Sequence, residues 1–147
     1  MHDRLFRCAL IVMALVVGGC GDDDATGLEF DSSLGVDLGA MTQRASGLYV
    51  QDVTIGTGSA AASGNAVTVR YSGWLVSGFR FDAGTYTFRL GRREAIDGFD
   101  EGVTGMRVGG KRRIVIPPAL GYGNQAVGQI PPNSYLLFDL ELLLVAP

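Results

Sequence analysis

Histidine occurs once in the 147 residues, at position 2, and cysteine twice, at positions 8 and 20. A chain this poor in imidazole and thiol has little from which to build a Ser-His-Asp triad, a Cys nucleophile with its base, or a His-ligated zinc site. An excess of positive charge is also missing. The formal net charge is −3 and the pI near 5.0, so there is no basic field to draw in nucleic acid. No apolar run reaches the roughly 20 residues that a conventional membrane-spanning helix needs. What the chain does have is apolar side chain, 47% of residues, and glycine, 22 residues. That is enough for one domain with a sizeable core and many turns, and it argues against wholesale disorder.

Residues 1–19 read as an export signal. Arg4 and Arg7 precede the short apolar run Cys8–Val17, and the small residues Gly18 and Gly19 lead to Cys20. Val17-Gly-Gly-Cys20 resembles the lipobox of bacterial lipoproteins. The resemblance implies cleavage before Cys20 and acylation of that residue, with an ordinary cleaved signal as the alternative. Several acyl chains would hold the protein at a membrane surface, since each buried CH₂ contributes about 0.8 kcal/mol. Loss of the signal removes His2 and Cys8, and the lipid would consume Cys20. The remaining chain would then have neither histidine nor free thiol.

Residues 20–46 are assigned to an acidic, flexible tether. Asp22, Asp23, Asp24, Glu29, Asp31 and Asp37 fall there, with no Lys or Arg before Arg44. The three consecutive aspartates lack the ligand spacing and turn glycine of a dedicated calcium loop. From residue 47 to 147 the pattern is that of a β-rich domain. Leu48–Thr54, Val67–Leu75, Tyr86–Leu90, Arg112–Ile116 and Tyr135–Val145 have strand composition or strict alternation. In the last of these, Leu136, Phe138, Leu140, Leu142 and Leu144 are expected on one face. Gly56–Gly64 reads as a flexible connection, and Lys111-Arg-Arg113 as a solvated strand edge. One segment, Ala95–Met106, carries Phe99, Val103 and Met106 at helical spacing, with Asp97 near its start as a cap. Its glycines weaken it, so it predicts a short helix held by packing, around which the sheet wraps.

Eight ordered segments together resemble the FKBP-type peptidyl-prolyl cis-trans isomerases. They are Val69-Arg-Tyr-Ser-Gly-Trp-Leu75, Gly78-Phe-Arg-Phe-Asp82, Phe88-Arg-Leu-Gly91, Ala95-Ile-Asp-Gly-Phe-Asp-Glu-Gly102, Met106-Arg-Val-Gly-Gly-Lys-Arg112, Ile116-Pro-Pro-Ala-Leu-Gly-Tyr-Gly123, Ile130-Pro-Pro-Asn133 and Leu137-Phe-Asp-Leu-Glu-Leu142. The resemblance implies an α+β fold, a twisted antiparallel half-barrel of five or six strands around one short α-helix, with an aromatic hollow between them. It implies that Tyr71, Phe81, Tyr86 and Phe138 wall the hollow and that Phe99 is its floor. Ile96, beside Ala95, would offer a backbone N–H and Tyr122 a hydroxyl to substrate carbonyls. Asp82 would be a carboxylate at the buried edge near Tyr71, and Ile130 a further substrate contact. Read without the motif order, aromatic residues on alternating strand faces, such as Tyr71, Phe88 and Phe138, are most often plain core.

The implied activity is X–Pro isomerisation of exported polypeptides at the bacterial cell envelope, by a monomer without metal or organic cofactor. The alternatives are a binding or chaperone module of the same fold with little turnover, and a surface protein using the scaffold alone. Departures from the family pattern bear on ligands. Phe99 stands where Trp is usual, which gives up contact area and an indole N–H and lowers the expected affinity for macrolides. Only Ala83-Gly-Thr85 separate Asp82 from Tyr86, so one wall should be cut down. The segment 124–130 is about one residue shorter than common forms.

Overall fold

The computed structural model describes residues 27–147. The signal at 1–19, Cys20 and the aspartates at 22–24 lie outside the described residues. Alternation of apolar and polar residues builds six strands: β1 (Thr42–Gln43), β2 (Tyr49–Thr54), β3 (Ala66–Leu75), β4 (Arg80–Arg89), β5 (Lys111–Ile116) and β6 (Leu136–Ala146). They form one antiparallel sheet in the order β1-β2-β5-β6-β3-β4. Among the described residues a single α-helix, α1 (Asp97–Val103), lies in its curve, as the α+β half-barrel reading requires. Val67 and Val69 of β3, Ile114 and Ile116 of β5, and Leu136, Phe138, Leu140 and Leu142 of β6 close over Phe99 and Val103 of α1.

The helix is shorter than the apolar spacing predicts, and its first residue is capped by no side chain. Ile96 occupies the N-cap position and Asp97 sits in the first turn, where its charge still favours the helix N-terminus. The glycines that weaken the helix bring it against the sheet. A β-carbon on Gly98 would lie 2.5 Å from Ile116 Cγ2, and one on Gly102 2.7 Å from Ile114 Cδ1. Propensity is exchanged for a close helix–sheet approach.

Four sequence expectations are corrected. Leu144 does not share the inner face. A bulge between the pairs Thr68↔Leu144 and Val69↔Leu142 reverses the alternation, leaving Leu144 56% exposed and turning Val145 onto the core. The Gly56–Gly64 connection is pinned: Gly58 N–H bonds Val108 O, Ala61 N–H bonds Met106 O, and Ala61 is buried. The Lys111-Arg-Arg113 run is not a solvated edge, because β5 is an interior strand. Arg112, 8% exposed, pairs with Asp52 at 2.7 Å and donates to Gly102 O at 3.0 Å, satisfying a carbonyl at the end of α1. Arg113 makes a two-pronged pair with Asp139, at 2.7 and 3.0 Å.

The fourth correction concerns the tether. From residue 27 the acidic segment packs onto the outer face of the sheet. Leu34, Leu38 and Met41 are buried with Tyr49, Val115 and Leu137, and Leu28, Phe30, Val36, Trp74 and Tyr135 pack around them. Asp31 and Asp37 are not free surface charges. Each caps a short 3₁₀ turn, Ser32–Leu34 and Leu38–Ala40. Arg113 also donates to Leu34 O at 2.8 Å, and Asp31 N–H to Val76 O at 2.7 Å. The segment is a strap across the sheet, and the folded unit begins well before residue 47.

Candidate active site

Strand alternation and the helix together gather the rings. Tyr71 on β3, Phe81 on β4, Phe138 on β6 and Phe99 on α1 face one hollow of about 480 Å³, with Tyr122 following the 3₁₀ turn Pro118–Leu120. Phe99, 5% exposed, is the hub. Its ring centroid is 5.7 Å from Tyr71 and 5.3 Å from Phe138, both nearly perpendicular, and 5.6 Å from Phe88. Phe81 meets Phe138 edge-on at 5.5 Å. These edge-to-face contacts fix the rings without filling the space above Phe99. An outer-face hollow of similar volume is walled by ion-paired side chains, including Arg70–Glu141 and Arg113–Asp139, and offers no comparable ring nest.

Gly73 makes the nest possible. On β3 it faces Phe138, and a β-carbon there would lie 2.7 Å from both Phe138 Cε1 and Phe81 Cζ. A glycine inside a strand pattern signals such an approach. Gly73→Ala should therefore push both rings into the hollow. It should lower stability by about 1–3 kcal/mol, as overpacking does, and lower kcat/KM on an X–Pro peptide by roughly 10- to 100-fold. Thermal melting and peptide kinetics check both.

The polar groups divide into engaged and free. Tyr71 donates to Asp82 Oδ2 at 2.8 Å, and Asp82 also accepts from Ala83 N–H. Tyr86 donates to Glu94 O at 2.6 Å and stacks on Phe88 at 5.1 Å. The Tyr122 hydroxyl and the Ile96 N–H, by contrast, make no hydrogen bond among the described residues, and both residues border the hollow. Burial, then the hydrogen bond to Asp82 and its charge, push the Tyr71 phenol up to about 12. Burial and the Asp82 charge also raise that of Tyr122. Both hydroxyls are therefore donors throughout the neutral range. A phenol raised in the folded state contributes stability that is present in full below pH 10 and lost as pH rises through about 12. In a phenolate absorbance titration, Tyr71→Phe should remove the last-ionising group, and Asp82→Asn should lower its midpoint.

Of the residues singled out from sequence, Tyr71, Phe81, Asp82, Tyr86, Ala95, Ile96, Phe99, Tyr122 and Phe138 converge on the hollow. Ile130 does not. It is buried beside Val127, lining a neighbouring depression that shares Phe81, Asp82 and Tyr122. Asp82 is exposed rather than at a buried edge, because β4 is the outermost strand. Ala83-Gly-Thr85 continue β4 in register with Arg70–Ser72, so the wall on this side is a bare strand edge. Arg93 and Glu94 also line the hollow, and no spacing in the sequence marks them. Among the described residues no group of three His, Cys, Asp or Glu could hold a metal.

A sheet wrapped on one helix, with an aromatic hollow between, defines a fold that comparison with known proteins places. The family model described as FKBP-type peptidyl-prolyl cis-trans isomerase matches residues 57–143. The chain belongs to that family. It is 50% identical over 101 residues to FK506-binding protein 3 of Candida albicans, an alignment covering 66% of this chain and 24% of that protein. The chain thus spans about a quarter of the length of the curated relatives it matches. Among solved structures, FkpA from Escherichia coli aligns with a TM-score of 0.69 and 38% identity, covering 79% of this chain and 55% of FkpA. A peptidyl-prolyl cis-trans isomerase from Pseudomonas syringae aligns with a TM-score of 0.67 and 33% identity, covering 74% of this chain and 82% of that one.

Proposed function

We propose that this chain catalyses cis–trans isomerisation of X–Pro bonds in other polypeptides, as a monomer held by lipid on Cys20 to the extracytoplasmic side of a bacterial envelope. The observation that carries the catalytic part is the ring nest around Phe99 with two unengaged donors, Ile96 N–H and Tyr122 O–H, at its border.

Rotation about the X–Pro amide meets a barrier of about 18–20 kcal/mol because resonance is lost on twisting. The planar amide carries negative charge on oxygen and positive charge on nitrogen, and water stabilises that separation. The twisted amide is less charge-separated. An apolar notch that accepts the prolyl ring therefore favours the twisted state over the planar one, which is differential binding of the transition state. Donation from Ile96 and Tyr122 to flanking carbonyls would hold the rest of the chain while one bond turns. No nucleophile, thiol or imidazole enters the reaction.

Proline-limited refolding tests this reading. A substoichiometric amount of the purified chain should accelerate the slow phase, which otherwise takes tens of seconds. Tyr122→Phe should retain part of that acceleration, losing roughly 3- to 10-fold, the share of one hydrogen bond. A slow phase unaffected even by excess protein would favour a binding module instead. The lipid part rests on Val17-Gly-Gly-Cys20 after a basic and apolar leader. Cys20→Ala should move the protein from the membrane fraction to the supernatant and abolish fatty-acid labelling. Because Phe99 replaces a larger ring and the Ala83–Thr85 edge is bare, macrolides are expected to bind more weakly than to family members with a Trp floor.

A further inference from the structure

The turn between β4 and α1 carries two arginines, and only one of them borders the hollow. Arg93 lines it beside Glu94 and Ala95, and Arg92 does not. Arg93 holds a left-handed backbone, φ 56°, which is uncommon for a residue with a β-carbon. The turn imposes this conformation through three bonds from either side: Gly91 N–H to Asp100 Oδ2 at 2.9 Å, Arg89 N–H to Glu94 Oε2 at 2.7 Å, and Tyr86 O–H to Glu94 O at 2.6 Å.

Those bonds also engage two carboxylates of the turn and helix. Glu94 and Asp100 each accept a backbone N–H within the turn, and Asp82, on the β4 side of the hollow, is held by Tyr71 and Ala83. Among the described residues the Arg93 guanidinium makes neither an ion pair nor a hydrogen bond. A rigid turn thus presents a guanidinium with no partner of its own at the rim of the ring-lined notch, whose carboxylates, Asp82 and Glu94, are already held by hydrogen bonds from Tyr71, Ala83 and Arg89. We infer that Arg93 is a specificity-determining residue that selects X–Pro segments carrying a carboxylate side chain, Asp or Glu, within a few residues of the proline. The inference rests on the reading that the hollow receives an X–Pro segment. It adds which segments are preferred.

The test uses Leu-Pro peptides identical except for Glu or Gln at each position flanking the dipeptide, with the full chain. Both the isomerisation kcat/KM and the binding constant are measured. The wild type should favour the best-placed Glu over Gln by about three- to fivefold at low salt, the size expected of an exposed ion pair. That ratio should fall toward one as salt screens the pair. Arg93→Gln, which keeps the β-carbon and the backbone constraint, should bring the ratio to about one, and Arg93→Glu should invert it. Arg92→Gln removes the same charge one residue away and should leave the ratio in place. Equal loss in the Arg92 and Arg93 variants, or no Glu preference in the wild type at any position, would overturn the inference. Selective binding of Glu peptides without turnover would support Arg93 while overturning the isomerase reading, and absence of both binding and turnover would overturn the two together.

Discussion

Phe99→Ala is expected to lower kcat/KM on an X–Pro peptide by roughly 30- to 100-fold. The floor of the hollow would be gone, and with it the contact area that a prolyl ring gains on seating, worth about 2–3 kcal/mol. The same substitution removes a buried ring that touches Tyr71, Phe88 and Phe138, so stability should fall by about 3–5 kcal/mol. Loss of fold and loss of floor are separated by Phe99→Leu. Leucine keeps most of the volume and the fold while removing the flat surface, and it should still cost about 10-fold in kcat/KM. If folded Phe99→Leu and Phe99→Ala both turn over peptide within threefold of the wild type, Phe99 is not the floor.

Leu38→Ala, far from the hollow, is expected to lower Tm by roughly 10 °C. Leu38 is 4% exposed and sits under the strap with Leu34, Met41, Val115 and Leu137. Removing a buried leucine costs about 2–4 kcal/mol, and each kilocalorie shifts Tm by several degrees in a domain of this size. A chain cut to residues 47–147 should be less stable still, because it loses β1 and the whole strap and bares Tyr49, Trp74, Val115 and Leu137. It should bind an apolar dye and aggregate. A solvated tether predicts no stability change in either experiment, so melting curves of Leu38→Ala and the truncation decide between strap and tether.

The strap was the least legible part of the sequence, and the reason is compositional. Its apolar residues, Leu28, Phe30, Leu34, Val36, Leu38 and Met41, are sparse among Gly, Ser and Asp, and the helical spacing of Phe30, Leu34, Leu38 and Met41 is interrupted by Gly35 and Gly39. The aspartates look like solvation but act as caps for 3₁₀ turns. Arg112 and Arg113 were opaque for a related reason. A basic pair on a short strand reads as surface until a carboxylate on a neighbouring strand, Asp52 or Asp139, and orphan carbonyls at a helix end are placed beside it. Leu144 failed through one bulge, which no alternation pattern records.

The hollow was legible because its members come from ordered motifs on strands whose alternation is strict where it matters. Val67, Val69 and Tyr71 keep one face of β3, and Leu136, Phe138 and Leu140 one face of β6. What sequence could not show was the state of the donors. Tyr71 and Tyr86 look equivalent to Tyr122 in a string of letters, yet the first two are tied to Asp82 and Glu94, while Tyr122 is free to donate. Arg93 was invisible for the same reason, since its role depends on a left-handed turn and on the carboxylates that the turn engages.

The most direct test is where a bound proline sits. With the full chain and an X–Pro peptide in exchange, intermolecular nuclear Overhauser effects should run from the prolyl ring protons to the ring protons of Phe99, Phe138 and Tyr71. The Ile96 amide resonance should shift as it gains a carbonyl acceptor. A peptide that binds with its proline against the outer sheet face, or against Val127 and Ile130 with Phe99 unperturbed, would contradict the account.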